Sequence, residues 1–171
     1  EEVKAAFFVV TREAVKEEAL IDRMLSEGHV VGFHSMDHQN AMVRGYLHTR
    51  KDFRTGSEFM KRKGISDIWY RPPWGLTNLF SWHFVRKYGM KMVLWDVMAE
   101  DWERGATTGS IRKKCLSRVK DGSILCLHDG GRRTGGAPGA PEKTLEALTY
   151  VIPALKEAGC RFILPSEAVF R

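Results

Sequence analysis

The sequence predicts an α/β fold with parallel strands, either a barrel or an open doubly wound sheet. Two observations carry that expectation. Short apolar runs alternate with amphipathic helical stretches along the chain, and parallel strands need such helical crossovers. Each cluster of chemistry-bearing residues also falls at or just past the end of an apolar run, where parallel α/β proteins build their sites. His34, Arg71, Asp101 and His128 are therefore expected to converge although they lie far apart in the chain.

The elements follow in order. VKAAFFVV (3–10) is continuously apolar, as for a strand covered on both faces. From Arg12 to Glu27, Ala19, Leu20, Ile21, Met24 and Leu25 trace one stripe on a helix, and Gly28 ends it. Residues 29–34 form the next strand, 39–51 a loop or short helix, and 52–63 an amphipathic helix closed by Gly64. The short strand 68–70 must stop at Pro72-Pro73, which have no N–H to give a ladder. Helix 78–88, stopped by Gly89, leads to a strand over 91–97. Helix 110–120 has Ile111, Cys115 and Val119 at four-residue steps and precedes strand 123–127.

The Gly/Pro-rich loop 130–141 has the length of a functional rim, and its Arg132 and Arg133 read as solvated residues rather than a phosphate site. Helix 142–158 carries Leu145, Leu148, Ile152 and Leu155 on one face, with a kink expected at Pro153. A last strand over 161–165 completes six.

Bulk composition narrows the class. A chain of 171 residues, 43% apolar and 28% charged, suits one well-filled core and therefore one domain, 1–171. No apolar run approaches the roughly 18 residues of a membrane span. Three widely spaced cysteines, Cys115, Cys126 and Cys160, make neither a disulfide framework nor a zinc cluster and read as reduced. The net charge of +6, from 27 basic and 21 acidic residues, is scattered as on a solvated surface. No nucleic-acid motif or Gly-rich phosphate loop accompanies it, which argues against nucleic-acid and nucleotide functions.

Four stretches carry the chemistry. GHVVGFHSMDH (28–38) ends a strand at His34 and His38, a spacing that can aim both imidazoles at one divalent ion. That spacing alone also suits a solvated helix face. WYRPPWG (69–75), WDVMAEDW (95–102) and GSILCLHDG (122–130) supply further polar groups at strand ends.

Taken together, HSMDH (34–38), RPPWG (71–75), EDW (100–102) and ILCLHD (124–129) resemble, in order and spacing, the NodB-type polysaccharide deacetylases of carbohydrate esterase family 4. AAFFVV (5–10) and GCRFILPSE (159–167) resemble that family's ATFFV strand and closing segment. The resemblance implies a distorted (β/α) barrel and a metal-dependent hydrolase that removes N-acyl, usually N-acetyl, groups from amino sugars of a polysaccharide or lipid-linked glycan. It also implies a cell-envelope or extracellular setting. His34 and His38 would ligate a divalent ion, zinc in many members, with Ser35 tying the loop between them. Arg71 would orient a catalytic carboxylate, and Trp74 would offer its amide to the oxyanion and its ring as a groove wall beside Pro73. Asp101 would tune His128, the acid for the leaving amine; Trp102, Cys126 and Leu127 would meet substrate. The chemistry is coherent: a metal polarises the amide carbonyl, donors on a rigid frame hold the oxyanion, and a protonated imidazole releases the amine.

The chain departs from the family pattern in three ways. It has no TFDDG motif, which in the family precedes the ATFFV strand and supplies the catalytic base and a metal-binding aspartate. The expectation is an N-terminally incomplete domain lacking its first strand and helix; the alternative is a glycan-binding pseudoenzyme. Met98 replaces an aspartate common in the third motif, and Cys126 stands where an acyl-pocket leucine is usual, so a formyl or other small acyl group is also compatible.

Overall fold

The computed structural model describes residues 3–130 and 135–168; Arg132 and Arg133 lie outside the described residues. The chain packs as two compact units: Trp95–Phe162, and residues 3–94 with 163–168. Among the described residues there are six strands, four in a parallel sheet in the larger unit and two in a parallel pair in the other. This is the parallel α/β arrangement that the alternating pattern requires.

In the larger unit, β1 (Ala6–Val9), β2 (Val30–Phe33), β3 (Trp69–Tyr70) and β4 (Lys91–Met92) pair in sequence order. Helices α1 (Thr11–Ala14) and α2 (Glu18–Ser26) connect β1 to β2; α3 (Tyr46–Arg62) and α4 (Leu79–Lys87) make the next two crossovers. Phe33 pairs with Tyr70 across β2 and β3. His34 and Arg71 therefore leave the carboxyl ends of neighbouring strands.

Phe33, fully buried, anchors the core, its ring 5.5 Å from that of Phe53 and 5.3 Å from that of Tyr70. Gly56 on α3 makes room for it: a β-carbon there would stand 2.2 Å from Cε2 of Phe33. Alanine is the better helix former by about 1 kcal/mol, but overpacking a filled core costs about 1–3 kcal/mol, and at 2.2 Å the steric effect wins. Gly56→Ala is expected to lower stability by about 1–2 kcal/mol, read as a lower urea midpoint at unchanged m. A midpoint at or above wild type would refute the packing argument.

The second unit pairs β5 (Val97–Met98) with β6 (Leu125–Cys126) and packs α5 (Thr108–Arg118) on α6 (Ala140–Glu157). Thr107 and Ser110 cap α5 reciprocally. Ala99, Ala106 and Ala147 in its core bring the backbones close around Ile111, Cys115 and Val151. Thr108 Oγ1 donates to Glu146 at 2.8 Å and Lys143 Nζ to the Ala106 carbonyl at 2.8 Å, joining the two helices and their loops.

Several local expectations are corrected. β1 is an edge strand whose four residues are only half-buried. The helix expected over 12–27 divides at residues 15–17, and Leu20, placed on its apolar stripe, is exposed. α3 begins at Tyr46, six residues before Asp52. The strand expected over 91–97 is two strands in different sheets, because Asp96 turns its carboxylate onto the Ile124 N–H at 2.8 Å instead of continuing the first ladder. Residues 161–164 form no strand. The buried face of α6 is Ala140, Thr144, Ala147, Val151 and Leu155, leaving Leu145 exposed, and the helix is continuous through Pro153. Cys115, Cys126 and Cys160 are in no disulfide; Cys115 and Cys126 are buried and Cys160 is exposed.

Candidate active site

The segment after β2 is shaped by its backbone. Ser35 (φ 66°) and His38 (φ 55°) are both left-handed, which folds the residues between them into a tight loop. The first-turn amides of α1, which have no partner within their own helix, satisfy it: Thr11 N–H donates to the Ser35 carbonyl at 3.0 Å and Arg12 N–H to that of Met36 at 2.9 Å. Ser35 Oγ accepts the His38 N–H at 2.7 Å, the tie expected between the two histidines. The Arg12 guanidinium adds an ion pair to Asp37 at 3.2 Å.

His34 and His38 stand together, ring centroids 5.0 Å apart, and Trp74 lies with its ring 4.5 Å from that of His38. His34 Nδ1 is 2.6 Å from the Arg71 carbonyl. A carbonyl has no proton to give, so Nδ1–H is the donor and Nε2 carries the ring's lone pair. This is how metal-binding histidines are commonly held. Arg71 in turn donates from Nη2 to the Leu94 carbonyl at 3.0 Å and lies over the Phe8 ring at 4.1 Å. Trp74 is left-handed (φ 53°) after the buried Pro72-Pro73 and exposes more than half its surface, as a groove wall would. The pair fits two places in a metal shell. Among the described residues no group of three His, Cys, Asp or Glu side chains is arranged to share an ion, and catalytic zinc usually takes three protein ligands.

Asp52 on α3 was not anticipated from the sequence. Its buried carboxylate accepts the Met36 N–H and so holds the histidine loop from beneath. Burial pushes this carboxyl up to about 7; the Met36 N–H opposes the shift and the charge of Asp37 adds to it. An acid with a folded pKa above its ordinary 3.8 binds its proton more tightly when folded. Its contribution is therefore most favourable below about pH 4 and declines as pH rises to about 7, by up to about 4 kcal/mol. Asp52→Asn is expected to flatten the fall in urea midpoint between pH 5 and pH 8, both values set about the shifted pKa. Parallel profiles for the two proteins would exclude this origin.

In the other unit, Met98 pairs with Cys126 at the ends of β5 and β6, and the chain then delivers Asp101 and His128. Asp101 is completely buried. Its Oδ1 accepts the His128 Nδ1–H at 2.9 Å, and its Oδ2 accepts the His128 backbone N–H at 2.7 Å and the Thr144 hydroxyl at 2.9 Å. Burial alone would raise the Asp101 carboxyl; the two His128 bonds, the imidazole charge and the Thr144 bond outweigh it and hold the group below its ordinary range. With Nδ1–H committed to an ionised carboxylate, the ring keeps Nε2 for chemistry. Trp102 packs its ring 4.6 Å from that of His128 and, with Arg104, Gly105 and residues 135–138, lines a cavity of about 780 Å³. Cys126 is buried and Leu127 packs partly buried against this unit's core.

The structure thus groups His34, His38, Arg71 and Trp74, with Pro73 buried beneath, in one unit, and Asp101, Trp102, Cys126, Leu127 and His128 in the other. Thr144 was missed; its signal was a hydroxyl at the step between Ala140 and Ala147 on a helix otherwise read by its leucines.

Parallel strands end in paired histidines in one unit and in an aspartate-held histidine in the other, an α/β protein with its polar groups at strand ends. The polysaccharide deacetylase family model matches residues 1–93, more than half the chain, and the chain belongs to that family, with the NodB-type fold of carbohydrate esterase family 4. It is 29% identical over 166 residues to a peptidoglycan-N-acetylglucosamine deacetylase of Bacillus cereus, covering 96% of this chain and 74% of the relative. The Bc1960 peptidoglycan N-acetylglucosamine deacetylase superposes with a TM-score of 0.84 at 27% identity, over 95% of this chain and 73% of that one. A family 4 acetyl xylan esterase from Clostridium thermocellum, in complex with a cobalt ion, gives 0.82 at 27% identity, over 97% and 77%. The chain spans from 33% to 74% of the length of the peptidoglycan deacetylases it matches.

Proposed function

We propose that the protein is a metal-dependent hydrolase that removes N-acetyl groups from amino sugars of a cell-wall polysaccharide or lipid-linked glycan. The observation that carries this reading is the His128 ring, fixed through Nδ1 by the buried Asp101 and left with Nε2 available. Membership of the deacetylase family and the peptidoglycan deacetylase relatives support it.

Nε2 of His34 and the His38 imidazole would hold a divalent ion, zinc or cobalt, which supplies Lewis-acid polarisation of the amide; a solved relative in complex with cobalt supports that choice. The remaining work belongs to the chain. Arg71 fixes the His34 tautomer through its carbonyl, and its guanidinium, bonded to the Leu94 carbonyl, is assigned to orienting the catalytic carboxylate. The Trp74 amide, on a Pro-Pro frame, is assigned to the oxyanion, and the Trp74 and Trp102 rings to the sugar faces. His128 Nε2–H passes its proton to the amide nitrogen as the C–N bond breaks, so that the sugar leaves as a free amine; the acyl group takes water's oxygen and leaves as acetate, and of water's two protons one restores His128 and the other is released to solvent. Asp101 and Thr144 keep the ring in register for that transfer. Pro73, Cys126 and Leu127 are assigned to the substrate and acyl pocket.

The test is release of free amine from N-acetylglucosamine oligomers and peptidoglycan fragments, with zinc or cobalt added. Turnover is expected, and binding of the same oligomers without turnover would reject it. That outcome is what a glycan-binding pseudoenzyme gives, a second reading favoured by the presence of only two metal-type ligands together among the described residues.

A further inference from the structure

Residues 41–47 and 76–82 form an apolar prominence on the larger unit that the deacetylase reading leaves unused. Leu79 is 85% exposed, Leu47 76%, Val43 74% and Met42 61%, far beyond what scattered surface residues show. The prominence is built, not frayed. Asn78 Nδ2 donates to the carbonyls of Ala41 at 2.6 Å and Arg44 at 3.0 Å, and the Tyr46 and Phe80 rings meet edge to face at 5.7 Å. The starts of α3 and α4 are thereby locked into one platform.

Its charge is one-sided. Between His38 and Ser57 the only acidic residue is Asp52, which is buried, and between Ile68 and Trp95 there is none. Arg50 and Lys51 follow Leu47 by one turn of α3, and Arg86 follows Leu79 by two turns of α4. Among the described residues no carboxylate pairs with Arg44, Arg50, Lys51, Arg86 or Lys87. An apolar tip inside an acid-free cationic collar is the pattern of a protein that lies on an anionic lipid surface.

We propose that this face docks the protein on an anionic bilayer, with Met42, Val43, Leu47 and Leu79 in the acyl boundary and the collar at the phosphate headgroups. Charge selects this occupant over a second copy, whose own collar would meet this one with like sign. The leucines select it over a soluble polyanion, which offers no apolar phase to receive them. The inference stands apart from the deacetylase reading, and its test uses no turnover.

The 171-residue chain is sedimented with vesicles of phosphatidylcholine alone and of phosphatidylcholine with phosphatidylglycerol. It is expected to pellet with the anionic vesicles only, and less as salt rises. The exposed pair Leu47→Gln and Leu79→Gln should lower partitioning by about tenfold or more at unchanged circular dichroism. Arg50→Gln with Lys51→Gln should lower it and flatten the salt dependence. Absence of vesicle binding, or binding that the leucine variants leave intact, overturns the proposal. So does a dimer in sedimentation velocity that the same leucine variants dissolve, or binding to soluble polyphosphate in place of vesicles.

Discussion

His128→Ala is expected to lower kcat/KM for deacetylation of N-acetylglucosamine oligomers by at least about 10²-fold, the lower end of what a positioned general acid contributes. Asp101→Asn should cost a comparable factor at nearly unchanged side-chain volume, because the amide no longer enforces Nδ1–H and leaves Nε2 in a mixture of tautomers. The two groups form one unit through a bond of 2.9 Å, so the double variant should be little worse than His128→Ala alone. Additive losses would show that Asp101 acts elsewhere. Undiminished turnover in His128→Ala would remove the proposed proton transfer altogether. Asp101 is buried, so thermal melts of each variant accompany the kinetics to separate lost chemistry from lost folding.

Zinc uptake is the second large effect. Chelation should abolish turnover and added zinc or cobalt restore it, but the sharper measurement is binding itself. His34→Ala or His38→Ala should weaken zinc affinity by at least about 10–100-fold, the range that even loss of a supporting hydrogen bond produces at metal sites. Isothermal titration with zinc reads this without substrate. Equal zinc affinity in wild type and His34→Ala would dismiss the metal assignment while leaving the His128 arrangement untouched.

The parts of the site that were legible in the sequence are those where chemistry and chain position coincide. His34 and His38 follow a β-branched run, Arg71 precedes two prolines, and His128 ends an apolar strand, so each announces both its strand end and its reactive group. Asp52 and Thr144 were not legible. They act on residues 16 and 43 positions away, and no local pattern marks a carboxylate on a long helix as the support of a distant loop. α6 was misread by one step because Leu145, Leu148 and Ile152 make a helical stripe as regular as the true one. Small residues won the buried face there, since Ala140, Thr144 and Ala147 permit the close approach that Leu145 would block. The run 91–97 is apolar enough for one strand, yet Asp96 satisfies the Ile124 amide and the chain changes sheets. Hydrophobicity could not report that choice, because both outcomes bury the same kind of side chain.

The supports of each histidine cluster lie within its own unit: Thr11, Arg12 and Asp52 for one, Asp101 and Thr144 for the other. Recombination with a relative at the Leu94–Trp95 peptide, returning after Phe162, would therefore transplant each reactive constellation together with its scaffolding. Chimaeras cut within residues 11–71 or 101–144 would separate an imidazole from the groups that aim it, so this junction is a natural seam for exchanging substrate preference among family members.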